Sequence, residues 1–338
     1  MRAATIHGGG LDAAIAEFGG DRADWLDLST GINPSPVALP ALDPAVWAQL
    51  PDASLQARCI DAARSAYGAP ETAGIVAAPG SQALISLLPF LLPKAEVAVL
   101  EPTYGEHRAS FATAGHSVRG IGTIADLPDG ASVAVVVNPN NPDGRRTERT
   151  TLLDLLAEMQ RRGGLLVVDE AFADAAHDVS IADMAGEPGL LVHRSFGKFY
   201  GLAGVRLGFA LTTPALAESL ARRLGPWAVG GPALAIGAAV LASETVRDGV
   251  AKALQAQAAL RDDVLGSAGL RFVGETPLFA TVETPRAGAL FEALCRRQIL
   301  TRPFSHRPNW LRFGNPKDSA EAARLAGALA AAAAENRP

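Results

Sequence analysis

Lys198 and its neighbours form the part of this sequence best suited to chemistry. The segment reads Ser195-Phe196-Gly197-Lys198, and Arg206 follows after a glycine-rich stretch. A lysine amine condenses with an aldehyde, whereas a serine hydroxyl and a guanidinium group donate hydrogen bonds to a phosphate dianion. These side chains predict a site for a compound that carries both a carbonyl group and a phosphate.

Pyridoxal 5′-phosphate (PLP) carries both of these groups and meets that demand. The segment alone leaves two other interpretations open. Lys198 could be a solvated residue of a surface loop, and the Ser-x-x-Lys spacing also occurs in unrelated serine enzymes. Features elsewhere in the chain have to decide between them.

Two apolar segments upstream of Lys198 end in polar residues. Residues 133–137 lead into the sequence NPNNPDG at 138–144, and residues 165–168 lead into DEAF at 169–172. Apolar runs this rich in β-branched residues predict strands buried on both faces, and ligands of open α/β sheets bind just beyond the carboxyl ends of such strands. We therefore expect these polar residues to converge on one site with Lys198.

Strand-like and helix-like segments alternate through most of the chain, which predicts an α/β fold with a mainly parallel sheet in a large domain over residues 35–235. We expect a small α+β domain from residues 1–34 and 236–338. The predicted strands of the large domain are Ile75–Ala78, Glu96–Leu100, Val133–Val137, Leu165–Val168, Leu190–Arg194 and Leu207–Leu211, and its predicted helices include Ser81–Leu92, Thr150–Arg162 and Thr213–Leu224. Beyond them we predict one or two connecting helices to about Leu265, the small-domain segments Leu270–Val273, Phe279–Val282, Ala287–Arg297 and Trp310–Gly314, and a terminal surface-packed helix.

Composition narrows the classes of protein to be considered. A hydrophobic content of 49% in 338 residues is ample for a buried core, and a net charge of −5 argues against a nucleic-acid-binding surface. Cys59 and Cys295 lack the spacing of a disulfide framework or a metal site. The N-terminus lacks the apolar core of a signal peptide, and we see no apolar stretch long enough to span a membrane, so we expect a cytoplasmic protein.

The motifs NPNNPDG, DEAF and SFGK, with GLAGVRLG at residues 201–208, resemble in type and order those of the fold-type I, aminotransferase-like PLP enzymes. The resemblance covers nearly the whole chain. It implies a seven-stranded, mainly parallel sheet, PLP as the cofactor, and a homodimer with a shared active site.

The segment Gly80-Ser81-Gln82 lies between a predicted strand and a predicted helix. Backbone N–H groups at a helix start suit a phosphate, although an ordinary strand-to-helix turn with a serine cap would have the same sequence. The resemblance implies that these residues, together with Ser195 and Arg206, contact the cofactor phosphate.

The resemblance also implies roles around the pyridine ring. Asp169 would lie beneath the ring nitrogen and keep it protonated, so that the ring accepts electrons, although an aspartate here could also cap a turn. Asn141 would donate to the phenolic oxygen. Tyr104 would stack on the ring, and a plain core aromatic is the alternative. Tyr67 would reach the phosphate from the neighbouring subunit.

Phe172 departs from the aminotransferase pattern. Many aminotransferases of this fold carry a tyrosine at this position, and its hydroxyl also bonds the phenolic oxygen, which phenylalanine cannot do. Asn141 would then bind that oxygen alone. This departure weakens an assignment as a plain aminotransferase.

Two arginines near the C-terminus are predicted to bind substrate. Arg312, in Leu311-Arg312-Phe313, matches the family position that clamps the α-carboxylate of an amino acid, and its apolar neighbours make a solvated surface position less favourable. Arg302 would lie on the same wall. A second arginine indicates a second anionic group on the substrate.

The N-terminal segment resembles one branch of the family, the threonine-phosphate decarboxylases of cobalamin biosynthesis. The resemblance rests on HGGG at residues 7–10 and WLDLSTGINP at 25–34, together with APGSQ at 78–82. It implies that His7 donates to a substrate phosphate, and that the Ser29–Asn33 loop, with Thr30, Gly31 and Asn33 as substrate-binding residues, closes over the substrate carboxylate. An N-terminal histidine outside this context is usually solvated.

The reaction that this resemblance implies is decarboxylation of L-threonine O-3-phosphate to (R)-1-amino-2-propanol O-2-phosphate. A histidinol-phosphate aminotransferase, which shares the fold, the cofactor residues and a phosphorylated substrate, is the nearest alternative. A PLP-binding regulatory module without turnover is a further one. Which bond at Cα breaks depends on how the substrate is held, and a sequence does not report those angles.

Overall fold

A computed structural model describes residues 8–335, which divide into two compact units. The larger unit comprises residues 36–141 and 145–250. The smaller unit comprises the described residues up to Ser35, residues 142–144, and those from Ala251 onward. The N-terminal boundary lies within one residue of the expected one, whereas the second boundary follows Val250 rather than residue 235.

The strands are, in chain order, β1 (Leu26–Asp27), β2 (Gly74–Ala78), β3 (Glu96–Leu100), β4 (Ser117–Ile121), β5 (Ala131–Val137), β6 (Leu165–Asp169), β7 (Leu190–Ser195), β8 (Gly208–Thr212), β9 (Arg271–Thr276), β10 (Phe279–Glu283), β11 (Ile299–Leu300), β12 (Arg302–Pro303) and β13 (Trp310–Gly314).

The α-helices are α1 (Leu11–Phe18), α2 (Ala45–Ala48), α3 (Ala53–Tyr67), α4 (Ser81–Leu87), α5 (Gly105–Thr113), α6 (Arg149–Arg161), α7 (Phe196–Phe199), α8 (Pro214–Leu224), α9 (Gly231–Leu241), α10 (Glu244–Ser267), α11 (Ala287–Cys295) and α12 (Ser319–Glu335). Short 3₁₀ segments connect several of them, and none of the helices within residues 8–335 is both long and apolar enough to cross a membrane.

The larger unit is built on a seven-stranded sheet with the order β2-β8-β7-β6-β5-β3-β4. The neighbouring strands β4, β3, β5, β6 and β7 run parallel. In this sheet only β8 pairs antiparallel, with its neighbours β2 and β7. Residues of β5, β6 and β7 are almost entirely buried, as expected of parallel strands with helices on both faces. The predicted α/β fold with a mainly parallel sheet is confirmed.

Strand β4 and helix α5 were not predicted. The sequence of β4 is Ser-Val-Arg-Gly-Ile, and most of its residues are exposed because the strand lies at the edge of the sheet. An exposed edge strand does not require an apolar run, so the hydrophobic pattern gives little sign of it. The predicted helix Ser81–Leu92 instead ends as an α-helix at Leu87 and continues as a 3₁₀ segment, Leu88–Leu91, which contains Pro89.

Helix α9 belongs to the larger unit because it packs on α3. Gly237 lies at the closest approach, where a Cβ atom would come within 2.4 Å of Leu207 and 3.0 Å of the Cys59 sulfur. A larger side chain would force the helices apart. This contact moves the observed boundary C-terminal to the expected residue 235.

The smaller unit contains a four-stranded antiparallel sheet with the order β12-β13-β10-β9. Strands β1 and β11 form a separate parallel pair. Residues of β10, β13, α11 and α12 share one apolar core with Leu26 and Leu28. This core fastens the N-terminal segment to the C-terminal part of the chain, and it positions the loop that follows β1.

Candidate active site

A cavity of about 280 Å³ lies in the larger unit at the carboxyl ends of β5, β6 and β7. This is the edge at which ligands of open α/β sheets bind. Nine of the ten predicted cofactor-binding residues line it, namely Gly80, Ser81, Gln82, Tyr104, Asn141, Asp169, Ser195, Lys198 and Arg206. The structure therefore brings together residues that are up to 126 positions apart, since the cavity extends from Gly80 to Arg206.

Lys198 projects from α7, a single helical turn that follows β7 directly. This turn packs closely against Ala203, since a Cβ atom on Gly197 would lie 2.6 Å from the Cα atom of Ala203. The Nζ atom of Lys198 lies 5.5 Å from the centroid of the Phe172 ring. A partly buried amine against an aromatic wall suits a lysine that must react rather than remain solvated.

One end of the cavity is suited to a phosphate. Ser81, Ser195 and the exposed side chain of Arg206 line this end. A Cβ atom on Gly80 would lie 2.5 Å from a terminal nitrogen of Arg206, and one on Gly208 would lie 2.3 Å from the backbone nitrogen of Ser81. The two glycines leave open a cradle that any other side chain would fill.

A buried carboxylate, that of Asp169, also lines the cavity. Its Oδ1 atom accepts the Ala171 N–H at 3.0 Å, and its Oδ2 atom lies 2.9 Å from Nε2 of His107. Burial by itself raises the pKa of Asp169, but the hydrogen bond and charge of His107, together with His193 and the Ala171 N–H, outweigh it, so that the pKa lies below its usual value. Asp169 is thus held as an anion, suited to pairing with a protonated ring nitrogen.

Tyr104 and Asn141 line the cavity as well. The Tyr104 hydroxyl donates to Oε1 of Gln82 at 2.9 Å. The neighbouring Asn140 fixes the Tyr104 loop, since its side chain donates to the Pro102 carbonyl at 2.8 Å and accepts from the Thr103 hydroxyl at 2.6 Å. The polar residues of NPNNPDG are therefore divided between shaping this loop and lining the cavity.

The donor set of the cavity fits PLP. The amine of Lys198 matches its aldehyde, the Ser81, Ser195 and Arg206 end matches its phosphate, and the Asp169 carboxylate matches its pyridine nitrogen. Phe172 lines the same cavity and is 3% exposed. It supplies an apolar wall where a tyrosine would supply a hydroxyl.

Tyr67 does not line the cavity. Its ring lies under the guanidinium group of Arg194, with 4.3 Å between the Arg194 Cζ atom and the ring centroid, and the side chain is 6% exposed. The Tyr67 hydroxyl is buried without a hydrogen-bond partner among residues 8–335. A hydroxyl that reaches a neighbouring subunit has to be exposed on its own chain, so this placement does not supply the predicted contact.

The smaller unit holds the predicted substrate arginines next to each other. Arg302 of β12 and Arg312 of β13 are paired in register. Arg312 is 2% exposed, and one of its terminal nitrogens donates to the carbonyl oxygen of Ser29 at 2.8 Å. Burial and repulsion by Arg302 lower the pKa of Arg312, and Asp27 partly offsets them. Such a pair of cations is suited to anionic groups.

The loop after β1 contains the other predicted substrate residues of this unit. Thr30 is partly buried, Gly31 is buried, and Asn33 accepts the Ser35 N–H through Oδ1 at 2.9 Å. His7 lies outside the described residues. The roles of Thr30, Gly31, Asn33 and His7 remain predictions.

His107 and His193 were not predicted from the sequence to support the site. His107 lies three residues after Tyr104 on α5, and this one-turn spacing is the only signal that could have placed it near the ring site. His193 is paired in register with Asp169 on the adjacent strand, and it is fully buried. A histidine inside an apolar strand is its only sequence signal.

The fold and the cavity define a fold-type I, PLP-dependent enzyme. The chain belongs to the aminotransferase class I and II family, whose model matches residues 24–329. It is 46% identical to a threonine-phosphate decarboxylase from Sinorhizobium sp. over 98% of this chain and 99% of the relative. It is 44% identical to a threonine-phosphate decarboxylase from Pseudomonas aeruginosa over 96% of each chain.

Similarity to histidinol-phosphate aminotransferases is weaker in sequence and close in fold. Histidinol-phosphate aminotransferase 2 of P. aeruginosa is 31% identical over 93% of this chain and 91% of its own length. The solved histidinol-phosphate aminotransferase of Sinorhizobium meliloti, in complex with PLP, superposes with a TM-score of 0.80 at 20% identity, covering 98% of this chain and 96% of that one. The fold is therefore common to both activities.

Proposed function

We propose that this protein is a PLP-dependent decarboxylase that converts L-threonine O-3-phosphate to (R)-1-amino-2-propanol O-2-phosphate in cobalamin biosynthesis. The observation that carries the proposal is 46% and 44% identity to threonine-phosphate decarboxylases over almost the full length of both chains. The cavity around Lys198 supports it, since each predicted chemical group of the cofactor has a matching side chain there.

Lys198, Asp169 and the phosphate-binding residues would hold the cofactor. When bound, PLP supplies an aldehyde that combines with amines and a ring that accepts an electron pair. Asp169 keeps a proton on the ring nitrogen, and His107 keeps Asp169 ionised. Ser81, Ser195 and Arg206 bind the phosphate and fix the orientation of the ring.

The substrate's anionic groups are assigned to the smaller unit. Arg312 would bind the α-carboxylate, and Arg302 and His7 would bind the second anionic group, the phosphate. In the reaction the bond between Cα and the carboxylate carbon breaks, carbon dioxide leaves, and Cα takes up one proton. The freed Nζ of Lys198 or a water molecule is the proposed donor of that proton.

The test is to incubate the PLP-loaded protein with L-threonine O-3-phosphate in the absence of any keto acid. Carbon dioxide and product mass are followed together. Stoichiometric carbon dioxide and aminopropanol phosphate are expected. Conversion of the cofactor to its pyridoxamine form without carbon dioxide would instead identify an aminotransferase, and no turnover with spectral change alone would identify a binding module.

We also propose a homodimer, formed through an apolar groove of about 610 Å³ on the larger unit. Leu39 and Trp47 line the groove and are 61% and 71% exposed, and Arg206 lines both the groove and the cofactor cavity. Exposed apolar surface of this kind marks an association site, and its continuity with the cavity favours a second copy of the chain. Tyr67 is not assigned to the shared site.

A cytoplasmic location completes the proposal. Cys59 and Cys295 are both buried and unpaired. Two free cysteines are consistent with a reducing compartment.

A further inference from the structure

We propose that Ser29 is a positioning residue that links the N-terminal segment to Arg312. The inference rests on the proposed function, because it concerns the two parts of the smaller unit to which the substrate phosphate and carboxylate are assigned. Ser29 lies in the loop after β1 and is 2% exposed.

The hydroxyl of Ser29 anchors the N-terminal segment. Asp27 fixes this hydroxyl, since its Oδ1 atom accepts the Ser29 Oγ–H at 2.6 Å and the Ser29 N–H at 2.9 Å. With its proton donated to Asp27, the Oγ atom accepts the Gly9 N–H at 2.7 Å. Gly9 lies two positions after His7 in the sequence, so this bond fixes described backbone next to the residue to which the substrate phosphate is assigned.

The carbonyl of Ser29 anchors Arg312. A terminal nitrogen of Arg312 donates to this oxygen at 2.8 Å, although the two residues are 283 positions apart. Gly8 packs on the same carbonyl, because a Cβ atom there would lie 2.4 Å from the oxygen. The Ser29 carbonyl therefore packs against Gly8 and also accepts a hydrogen bond from the guanidinium group of Arg312.

The position of Arg312 is sensitive to this contact. The side chain is buried, and its neighbour Arg302 is also cationic, so the Ser29 carbonyl supplies partial negative charge to a guanidinium group that burial disfavours. A shift of the Ser29 peptide would change both the entry of the N-terminal segment and the orientation of the carboxylate clamp. We infer that docking of the N-terminal segment and alignment of Arg312 are coupled through Ser29.

The first arm of the test measures the anchor without any substrate. Hydrogen exchange of the Gly9 amide is compared in wild-type protein, Ser29→Ala and Ser35→Ala. The control residue Ser35 also loses a side-chain hydrogen bond, with Gln257, whereas the hydrogen bonds from Gly9 and Arg312 go to Ser29. We expect exchange about 10-fold faster in Ser29→Ala only, which matches the loss of one hydrogen bond. Unchanged exchange would overturn the anchor.

The second arm measures the link by a double-mutant cycle of Gly8→Ala with Arg312→Lys. The readout is the Kd of L-threonine O-3-phosphate, titrated by the absorbance of the bound cofactor. Because Gly8 packs on Ser29, we expect the two substitutions not to act independently. The loss of affinity in the double mutant should be at least about threefold smaller than the product of the losses in the two single mutants. Gly10→Ala is the matched control, since a Cβ atom at Gly10 meets nothing within 4 Å, and its effect should multiply with that of Arg312→Lys.

Independent, multiplying effects of Gly8→Ala and Arg312→Lys would overturn the coupling. Gly8→Ala keeps Ser29 intact, so the cycle remains informative if Ser29→Ala folds poorly. If the wild-type protein binds the substrate but releases no carbon dioxide, the proposed reaction fails while both arms still test the role of Ser29.

Discussion

The Nε2 atom of His107 lies 2.9 Å from the Oδ2 atom of Asp169, and both side chains are almost completely buried. This contact favours the ionised form of the buried Asp169 carboxylate, because it lowers the pKa of Asp169, which burial alone would raise. Asp169 can hold a proton on the cofactor ring only while it is ionised. We therefore expect His107 to act on the cofactor through Asp169.

Replacement of His107 should move the acidic limb of the pH profile. In His107→Leu the burial of Asp169 is no longer offset by this contact, so the pKa of Asp169 rises and its charge is lost at higher pH as the solution is acidified. We expect kcat to fall and its acidic limb to move to higher pH. His107→Asn, which keeps an N–H donor, should show a smaller shift, and identical profiles for all three proteins would contradict the role.

Lys198→Ala should abolish the covalent attachment of the cofactor. No amine then remains in the cavity wall to combine with the aldehyde, so the visible absorbance of bound PLP at neutral pH should disappear. Borohydride treatment followed by peptide mass analysis checks the site. A reduced adduct at Lys94, Lys252 or Lys317 in the wild-type protein, with none at Lys198, would rule out the assignment.

Arg312→Ala should weaken catalysis strongly. Removing the guanidinium group leaves the substrate carboxylate without its partner, and we expect a loss of roughly 2–5 kcal/mol in transition-state stabilisation, measured as kcat/KM. Arg307→Ala is the control, because Arg307 is exposed and packs on Trp310 of the same sheet. An unchanged kcat/KM in Arg312→Ala would refute the clamp.

His193 should make the folded state sensitive to acid. Burial lowers the pKa of His193 to about 4, with Asp169 opposing the shift, and neither ring nitrogen has a hydrogen-bond partner in the described part of the chain. Between an unfolded pKa near 6.5 and a folded pKa near 4, the unfolded state binds more protons, so stability is lost as the pH falls. The loss amounts to about 3 kcal/mol.

His193→Leu should remove this slope, and denaturant unfolding at pH 7 and pH 4 would show it. His116→Leu is a matched control, because His116 is also buried but both of its ring nitrogens are hydrogen-bonded, to the Ala95 N–H and the Pro89 carbonyl. That variant should be destabilised at both pH values. An acid-induced loss in His193→Leu as large as in the wild-type protein would contradict the prediction.

Trp47→Glu should dissociate the proposed homodimer. The side chain is 71% exposed on the chain itself, so a charge there should not disturb folding but would be buried at the interface. Light scattering coupled to size-exclusion chromatography measures the mass. Phe90→Glu, at a residue that is 53% exposed and does not line the groove, should leave the mass unchanged. A monomeric wild-type protein at micromolar concentration would contradict the proposal.

The strands and most of the cofactor site could be predicted from the sequence because their signals are local. Val133–Val137 and Leu165–Val168 are apolar runs long enough to specify buried strands, and the polar residues at their ends have to lie at one edge of a parallel sheet. The edge strand Ser117–Ile121 was not predicted, because its exposed position imposes no apolar pattern on the sequence.

The sequence by itself determined which chemical groups the cavity can bind, because this depends on the residue types around Lys198 and Asp169. Only the tertiary structure decided which residues support them. The burial of Tyr67 under Arg194, the hydrogen bond from His107 to Asp169, and the Ser29 peptide between Gly8 and Arg312 all join residues distant in the chain. Such contacts leave no spacing in the sequence, because packing selects each partner independently of its position along the chain.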